Sequence, residues 1–166
     1  MKNHYKVIDE KQVKNKKIIM RVDFNVPMKG GKILDDTRIR RVIPGLKILA
    51  NSAKQIFLIT HFGRPKGAAS KDLSVQPLQD YLRKALSCNV SFLPYVDKPS
   101  KLREKANKEE KICLLENWRF YPGEEKNDLD LARAYSNIAD IYVNDAFSCS
   151  HRAHASIQSI TKFLPS

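Results

Sequence analysis

Four arginines of this 166-residue chain stand beside Asp, Gly, Pro, His or Asn, at junctions between apolar runs and polar loops, and not among the lysines. They are Arg38 after Asp35-Asp36-Thr37, Arg64 in His61-Phe62-Gly63-Arg64-Pro65, Arg119 in Glu116-Asn117-Trp118-Arg119-Phe120, and Arg152 in His151-Arg152-Ala153-His154. A guanidinium is a planar fork of donors that matches carboxylate and phosphate oxygens in pairs, so four around one pocket suit a small ligand with several anionic groups. Asp23 and Asn25 would accept from and donate to hydroxyls of such a ligand; capping of a local turn explains them equally well. His61 joins the set as a ring that can donate or accept.

For these residues to meet, the elements between them must return each loop to one edge. Lys17 to Val26 is nearly continuous in apolar residues and reads as a strand buried on both faces, ending at Pro27. Gly30-Gly31 makes a turn, Asp35, Asp36 and Thr37 offer capping side chains, and Ile39, Val42, Ile43, Leu46 and Leu49 recur at helical spacing to about Ala50. Gln55 to Thr60 predicts a second strand. A helix follows that opens at Ser74 with Pro77 in its first turn and Leu78, Tyr81, Leu82 and Leu86 on one face. Further strands are expected at Val90–Leu93, Ile112–Leu115 and Ile141–Val143, with helices over Leu102–Asn107 and Asp128–Ile138. Such alternation with short links predicts right-handed crossovers and a doubly wound α/β domain, its mostly parallel sheet covered by helices on both faces. The polar groups following each strand then share the carboxyl edge of the sheet, where open α/β sheets bind ligands. Arg38, Arg64, Arg119 and Arg152 converge there with Asp23, Asn25 and His61.

Absent motifs narrow the chemistry. No G-x-x-x-x-G-K-S/T and no G-x-G-x-x-G occurs, so nucleotide sites of those kinds are missing from these residues. Cys88, Cys113 and Cys149 are odd in number and form no C-x-x-C, and with the histidines they match no familiar zinc spacing; no metal site and no disulfide framework is expected. Cys113 reads as a core residue, Trp118 and Phe62 as packing beneath their loops, and Glu124 and Glu125 as acids favouring the N-terminus of the next helix. The net charge of +12 lies toward the front: residues 1–54 carry 14 basic and 5 acidic groups, residues 111–166 carry 6 and 7. Much of it is lysine in polar stretches such as Lys11–Lys17 and Lys98–Lys111, a solvated surface. No apolar stretch approaches the roughly 20 residues of a membrane span, and the first dozen residues lack the apolar core of a signal peptide, which predicts a soluble cytoplasmic protein.

The segments Arg21-Val22-Asp23-Phe24-Asn25-Val26-Pro27, Asp36-Thr37-Arg38-Ile39, His61-Phe62-Gly63-Arg64-Pro65, Glu116-Asn117-Trp118-Arg119-Phe120 and Asn144-Asp145-Ala146-Phe147 through Ser156 resemble, in order and at compatible spacings, the N-terminal domain of the phosphoglycerate kinase family. The resemblance implies a Rossmann-like lobe and the interconversion of 1,3-bisphosphoglycerate plus MgADP with 3-phosphoglycerate plus MgATP, the reaction of glycolysis, with the N-terminal half binding the glycerate. Carried over residue by residue, Asp23 and Asn25 hold the glycerate end. His61, Arg64, Arg119 and Arg152 take the anionic groups, especially the phosphate, and Arg38 is the catalytic group on the phosphoryl in flight. Phe24, Phe62 and Gly63 complete the binding set. Mg²⁺, ATP and ADP belong by this resemblance to a second, nucleotide-binding half, so residues 1–166 are expected to be a single substrate-binding domain, incomplete and inactive alone; the full-length form is expected to be a monomer. Ser148 stands where the family usually has Gly, Cys149 where it has a small residue, Phe62 where Leu and Trp118 where Val or Leu is commoner. A basic nucleic-acid-binding module is the rival class, but it would need charge spread over one face and basic segments interleaved with stacking aromatics. A non-catalytic anion-binding relative of the enzyme is the third reading. Neither nucleic acid nor membrane is an expected partner.

Overall fold

A run of apolar residues without polar alternation needs a sheet covered on both faces. The computed structural model, which describes residues 7–106 and 110–166, puts Lys17–Val22 (β1) in such a sheet, buried from Ile18 onward. Around it lie Gln55–Ile59 (β4), Val90–Leu93 (β5), Ile112–Leu115 (β6) and Ile141–Asp145 (β7), in the spatial order β5-β6-β4-β1-β7 and parallel at every pairing. A two-stranded hairpin of Met28–Lys29 (β2) and Lys32–Ile33 (β3) stands apart from that sheet. It turns through Gly30 and Gly31, both at positive φ (55° and 74°), the conformation that a two-residue hairpin loop demands and glycine adopts without strain.

Helices cover both faces. Thr37–Ser52 (α2) and Leu78–Leu86 (α3) bury Ile39, Val42, Leu46, Leu78 and Leu82 against Ile18, Met20, Val22, Ile56 and Leu58. Leu102–Lys105 (α4) and Leu129–Ser136 (α5) bury Leu102, Leu131, Ala132 and Tyr135 against Ile19, Phe57, Ile59, Cys113 and Tyr142. Alternate residues of each strand serve alternate cores, as the two-residue period of a strand requires. Fully burying one Leu, Ile or Phe contributes roughly 1.5–3 kcal/mol, so the two cores hold the sheet rigid and its carboxyl edge inherits that rigidity. A short first helix, Glu10–Val13 (α1), packs on α2 and is closed by a capping box in which Asp9 and Gln12 each accept the other's backbone N–H. Among the described residues no helix is long and apolar enough to cross a membrane.

The strands and helices stand where periodicity puts them, with informative shifts at their ends. β1 stops at Val22, although Phe24 and Val26 are as buried as the strand. Beyond Val22 the backbone leaves the ladder: Phe24 N donates to Thr60 Oγ1 (3.0 Å), Asn25 N to Asp23 Oδ1 (3.2 Å) and Val26 N to Phe24 O (2.9 Å). Apolar continuity reported burial there, not strand. Ser74 opens no helix, because its hydroxyl donates to Glu116 Oε2 (2.6 Å) and α3 begins only after Pro77. Asp128 is the N-cap of α5, accepting from Leu131 N (2.7 Å). β7 runs on to Asp145, two residues beyond its apolar stretch. α4 ends at Lys105, and the expected continuation to Asn107 lies outside the described residues, as do positions 107–109 of the lysine-rich stretch.

Candidate functional site

The register of the parallel sheet sets the site. Arg21 lies opposite Ile59 of β4 and Asn144 of β7, and Val22 opposite Asp145, so the chain leaves β1, β4 and β7 at one level and β6 delivers its loop beside them. From the end of β1, Asp23 accepts from Arg38 Nη1 (2.7 Å), on the first turn of α2, and from Ser148 Oγ (2.5 Å), after β7. Asn25 Oδ1 accepts from Gly63 N (3.1 Å), in the loop after β4. Gly63 O in turn accepts from Arg119 Nη1 (2.7 Å), after β6. Gly63 has φ +59°, a conformation glycine adopts without strain, so its backbone can serve as donor and acceptor between Asn25 and Arg119; a Cβ there would also push on the tip of the Leu73 side chain, 2.6 Å from Cδ2.

Asn117 staples the two central loops. Fully buried, its Oδ1 accepts from Phe62 N (3.1 Å) and Arg119 N (3.2 Å), and its Nδ2 donates to Phe62 O (2.7 Å) and Leu73 O (2.8 Å). Glu116 anchors the approach to α3 by accepting from Ser74 Oγ and Val75 N. Beneath them the buried Trp118 lies over Tyr135, ring centroids 3.6 Å apart, which supports the Arg119 loop from α5.

Of the residues expected from sequence, the structure binds Asp23, Asn25, Arg38, Gly63 and Arg119 into one connected set. His61 lies within the same cluster, its Nε2 4.0 Å from Cys149 Sγ. Arg152 is exposed, and its charge reaches His61 and Arg119. Arg64 is exposed on the His61 loop, and among the described residues nothing ties it to the others. The Phe24 side chain belongs to the core against α2 and α3, and that of Phe62 packs on it half-buried. Cys113 is buried in β6.

Glu124 overturns its reading as a helix-terminal acid. It is fully buried, accepts from Ser156 Oγ (2.5 Å) and Ser156 N (2.9 Å), and lies 3.7 Å from His154 Nδ1. Burial pushes its carboxyl above the ordinary value, against the pull of Arg21. Arg21 was also missed as more than a strand residue: 1% exposed, it donates to Val22 O, Ser156 Oγ and His61 Nδ1. The signal was available, since an arginine between Met20 and Val22 in a doubly covered strand must find partners inside the protein. Glu125 lies 3.3 Å from Arg119 Nε, without hydrogen-bond alignment.

The family model described as phosphoglycerate kinase matches residues 8–166. The chain belongs to the phosphoglycerate kinase family. A phosphoglycerate kinase from Ruegeria sp. (strain TM1040) is 45% identical over 162 residues, 97% of this chain and 41% of the relative. One from Wolbachia sp. subsp. Drosophila simulans is 49% identical over 160 residues, 96% of this chain and 40% of the relative. The solved phosphoglycerate kinase of Coxiella burnetii superposes with a TM-score of 0.80 at 34% identity, covering 92% of this chain and 38% of that one. The chain thus spans about 40% of the length of the curated phosphoglycerate kinases it matches.

Asp23, His61 and Cys149 bring one carboxylate, one imidazole and one thiol within 4.8 Å of one another, a donor set a cation could use. The chemistry of the set is against it. Asp23 already carries Arg38 and Ser148, and the guanidiniums of Arg21, Arg119 and Arg152 act on the same ring. A guanidinium cannot deprotonate, so Arg21 must donate to His61 Nδ1, and the proton of a neutral imidazole is then on Nε2, leaving no lone pair for a metal.

Burial, followed by the charges of Arg21 and Arg119, lowers the pKa of His61 to about 3. The unfolded chain takes up this proton below pH ~6.5 while the folded chain does not, so this contribution to stability is complete above pH ~6.5 and is lost as pH falls toward 3. Its slope approaches ~1.4 kcal/mol per pH unit between about pH 6 and 4. Urea midpoints of the wild type and His61→Gln at pH 7 and pH 5 should diverge, the variant losing less on acidification. Equal losses would contradict it.

Proposed function

We propose that this chain is the glycerate-binding part of a phosphoglycerate kinase, a single substrate-binding domain within a larger enzyme that transfers a phosphoryl group between ATP and 3-phosphoglycerate in glycolysis. The observation that carries this reading is the joined set Arg38–Asp23, Asn25–Gly63–Arg119 at the carboxyl edge of the sheet, with Arg152 near by. It offers guanidinium forks for carboxylate and phosphate and a paired carboxylate and amide for a hydroxyl. Asp23, Asn25, His61, Arg64, Arg119 and Arg152 bind the glycerate and its phosphate, Phe24, Phe62 and Gly63 shape that pocket, and Arg38 meets the migrating phosphoryl.

The carboxylate of 3-phosphoglycerate is the nucleophile. It attacks the γ-phosphorus of ATP, forming the acyl phosphate bond as the bond to the β-bridging oxygen breaks, and ADP leaves with that electron pair. A carboxylate with an α-carboxyl-like pKa of ~3.5 is already ionised at neutral pH, so no general base is called for. The neutral His61, its Nδ1 taken by Arg21, agrees with that. What remains is to align two polyanions and to stabilise charge on the transferring group. Magnesium, with its nucleotide, supplies charge neutralisation; the described residues do not fit it a site, and no step here depends on one. A full-length cytoplasmic monomer that closes one lobe on the other completes the reading.

Calorimetry on the 166-residue chain tests the division of labour. 3-Phosphoglycerate should bind, with affinity falling as salt is added because the contacts are largely charge on charge; MgATP should not bind detectably. Nucleotide binding as tight as glycerate binding would overturn the proposal, as would turnover by this chain alone.

A further inference from the structure

We propose that Arg21, buried in β1 and bonded to the ring of His61, is a positioning residue that holds His61 as a neutral Nε2–H donor facing the anion site. The inference rests on the glycerate reading only for what that donor meets, since the tautomer belongs to the chain without ligand.

The direction of each bond follows from proton inventory. Ser156 Oγ donates to Glu124 Oε1 (2.5 Å), which uses the hydroxyl's only proton, so toward Arg21 Nε (3.2 Å) the same oxygen accepts. Arg21 Nη1 is taken by Val22 O (2.6 Å), and Nη2 is left to donate to His61 Nδ1 (2.9 Å). Three bonds in three directions, on a side chain that is 1% exposed, fix the guanidinium plane. A permanent donor at Nδ1 excludes the Nδ1–H tautomer, and it excludes the imidazolium, which has protons on both nitrogens. Nε2 therefore carries the hydrogen; Cys149 Sγ lies 4.0 Å from it, and the Asp23 carboxylate belongs to the same close cluster.

Among the described residues, the charged groups that act most strongly on the ring come from four places. Arg21 comes from β1, Asp23 from the loop after it, Arg119 from the loop after β6, and Arg152 from the loop after β7, which also brings the Cys149 thiol. Of these four, Asp23 alone favours a second ring proton, and Asp23 is already engaged by Arg38 and Ser148. The arrangement gives an anionic ligand a hydrogen-bond donor without adding a further positive charge to a site crowded with arginines. Without Arg21 the ring could protonate, rotate or present a lone pair to the ligand, and a lone pair would repel an anionic oxygen.

Imidazole ¹⁵N–¹H correlation spectra of the labelled 166-residue chain, recorded without ligand from pH 8 to pH 5, read the tautomer directly. The wild type should show His61 only as Nε2–H, without titration. Arg21→Met should show both tautomers and a titration returning toward the ordinary value near 6.5, with 3-phosphoglycerate binding at least tenfold weaker. Arg21→Lys, which keeps an obligate donor, should restore most of the Nε2–H form. A wild-type His61 found as Nδ1–H or as imidazolium at pH 7 would overturn the proposal whether or not any variant folds. So would a folded Arg21→Met in which His61 stays wholly Nε2–H and does not titrate. The expected tautomer in a wild type that fails to bind 3-phosphoglycerate would count for this assignment and against the glycerate reading.

Discussion

Replacing Arg38 by Ala in a two-lobed phosphoglycerate kinase that carries this chain as its N-terminal part should lower kcat by about 10²- to 10³-fold while raising KM far less, by analogy with removal of one oxyanion-hole donor. The reason is timing. Groups that grip the phosphate that does not move are engaged equally before and during transfer, so Arg152→Ala should act chiefly on KM. A group aimed at the migrating phosphoryl strengthens its contact only as charge shifts onto it. The geometry suits Arg38 to that role, because Asp23 takes its Nη1 at 2.7 Å while 52% of the side chain stays exposed, so the guanidinium is steered but not used up. Lysine at position 38 should rescue only in part, because a point charge cannot hold Asp23 and a phosphoryl oxygen with one planar fork. Steady-state kinetics on Arg38→Ala, Arg38→Lys and Arg152→Ala separates the roles. An Arg38→Ala effect confined to KM would make Arg38 a binding residue.

The largest loss of stability should come from Glu124→Ala. Glu124 is fully buried, takes both the hydroxyl and the amide of Ser156, and is the carboxylate toward which the buried Arg21 points through that serine. Removing it strands a buried positive charge and two donors, which should cost about 3–5 kcal/mol out of a typical total of 5–15. Glu124→Gln keeps the volume and an acceptor for Ser156 and should cost less. Because burial raises the Glu124 carboxyl above the ordinary value, the folded chain holds that proton more tightly than the unfolded one. Ionising it as pH rises subtracts stability that the Gln variant does not lose. Urea unfolding followed by the fluorescence of Trp118, the one tryptophan of the sequence, measures all three. A cost below about 1 kcal/mol for Glu124→Ala would mean that Ser156 and Arg21 find other partners.

Much of this protein is decided by local pattern. Predominantly apolar stretches of four to six residues alternating with helical spacing specify β1, β4, β5 and β6 and the helices between them, since each can bury its face only in a sheet covered on both sides. Parallel connection then brings the ends of β1, β4, β6 and β7 to one edge, so Asp23, Asn25, Arg38, His61 and Arg119 could be grouped from the chain alone. Periodicity misplaced the ends of β1 and α3 because Thr60 and Glu116, distant in the chain, claim the backbone of Phe24 and the hydroxyl of Ser74.

The network behind the site belongs to tertiary structure. Arg21 and Ser156 are 135 residues apart, and Glu124 and Ser156 are 32 apart, so no window of sequence contains the partners, and either acid of Glu124-Glu125 fits a helix N-terminus equally well. Packing chose between them, burying Glu124 beneath the sheet edge and leaving Glu125 half-exposed beside Arg119. Residue types and spacing determined which groups the protein brings to its sheet edge, because strand and helix periods are local. Which nitrogen of His61 carries the proton, and which acid answers the buried Arg21, depended on the fold, because a buried charge takes whatever partner the packed chain puts within reach.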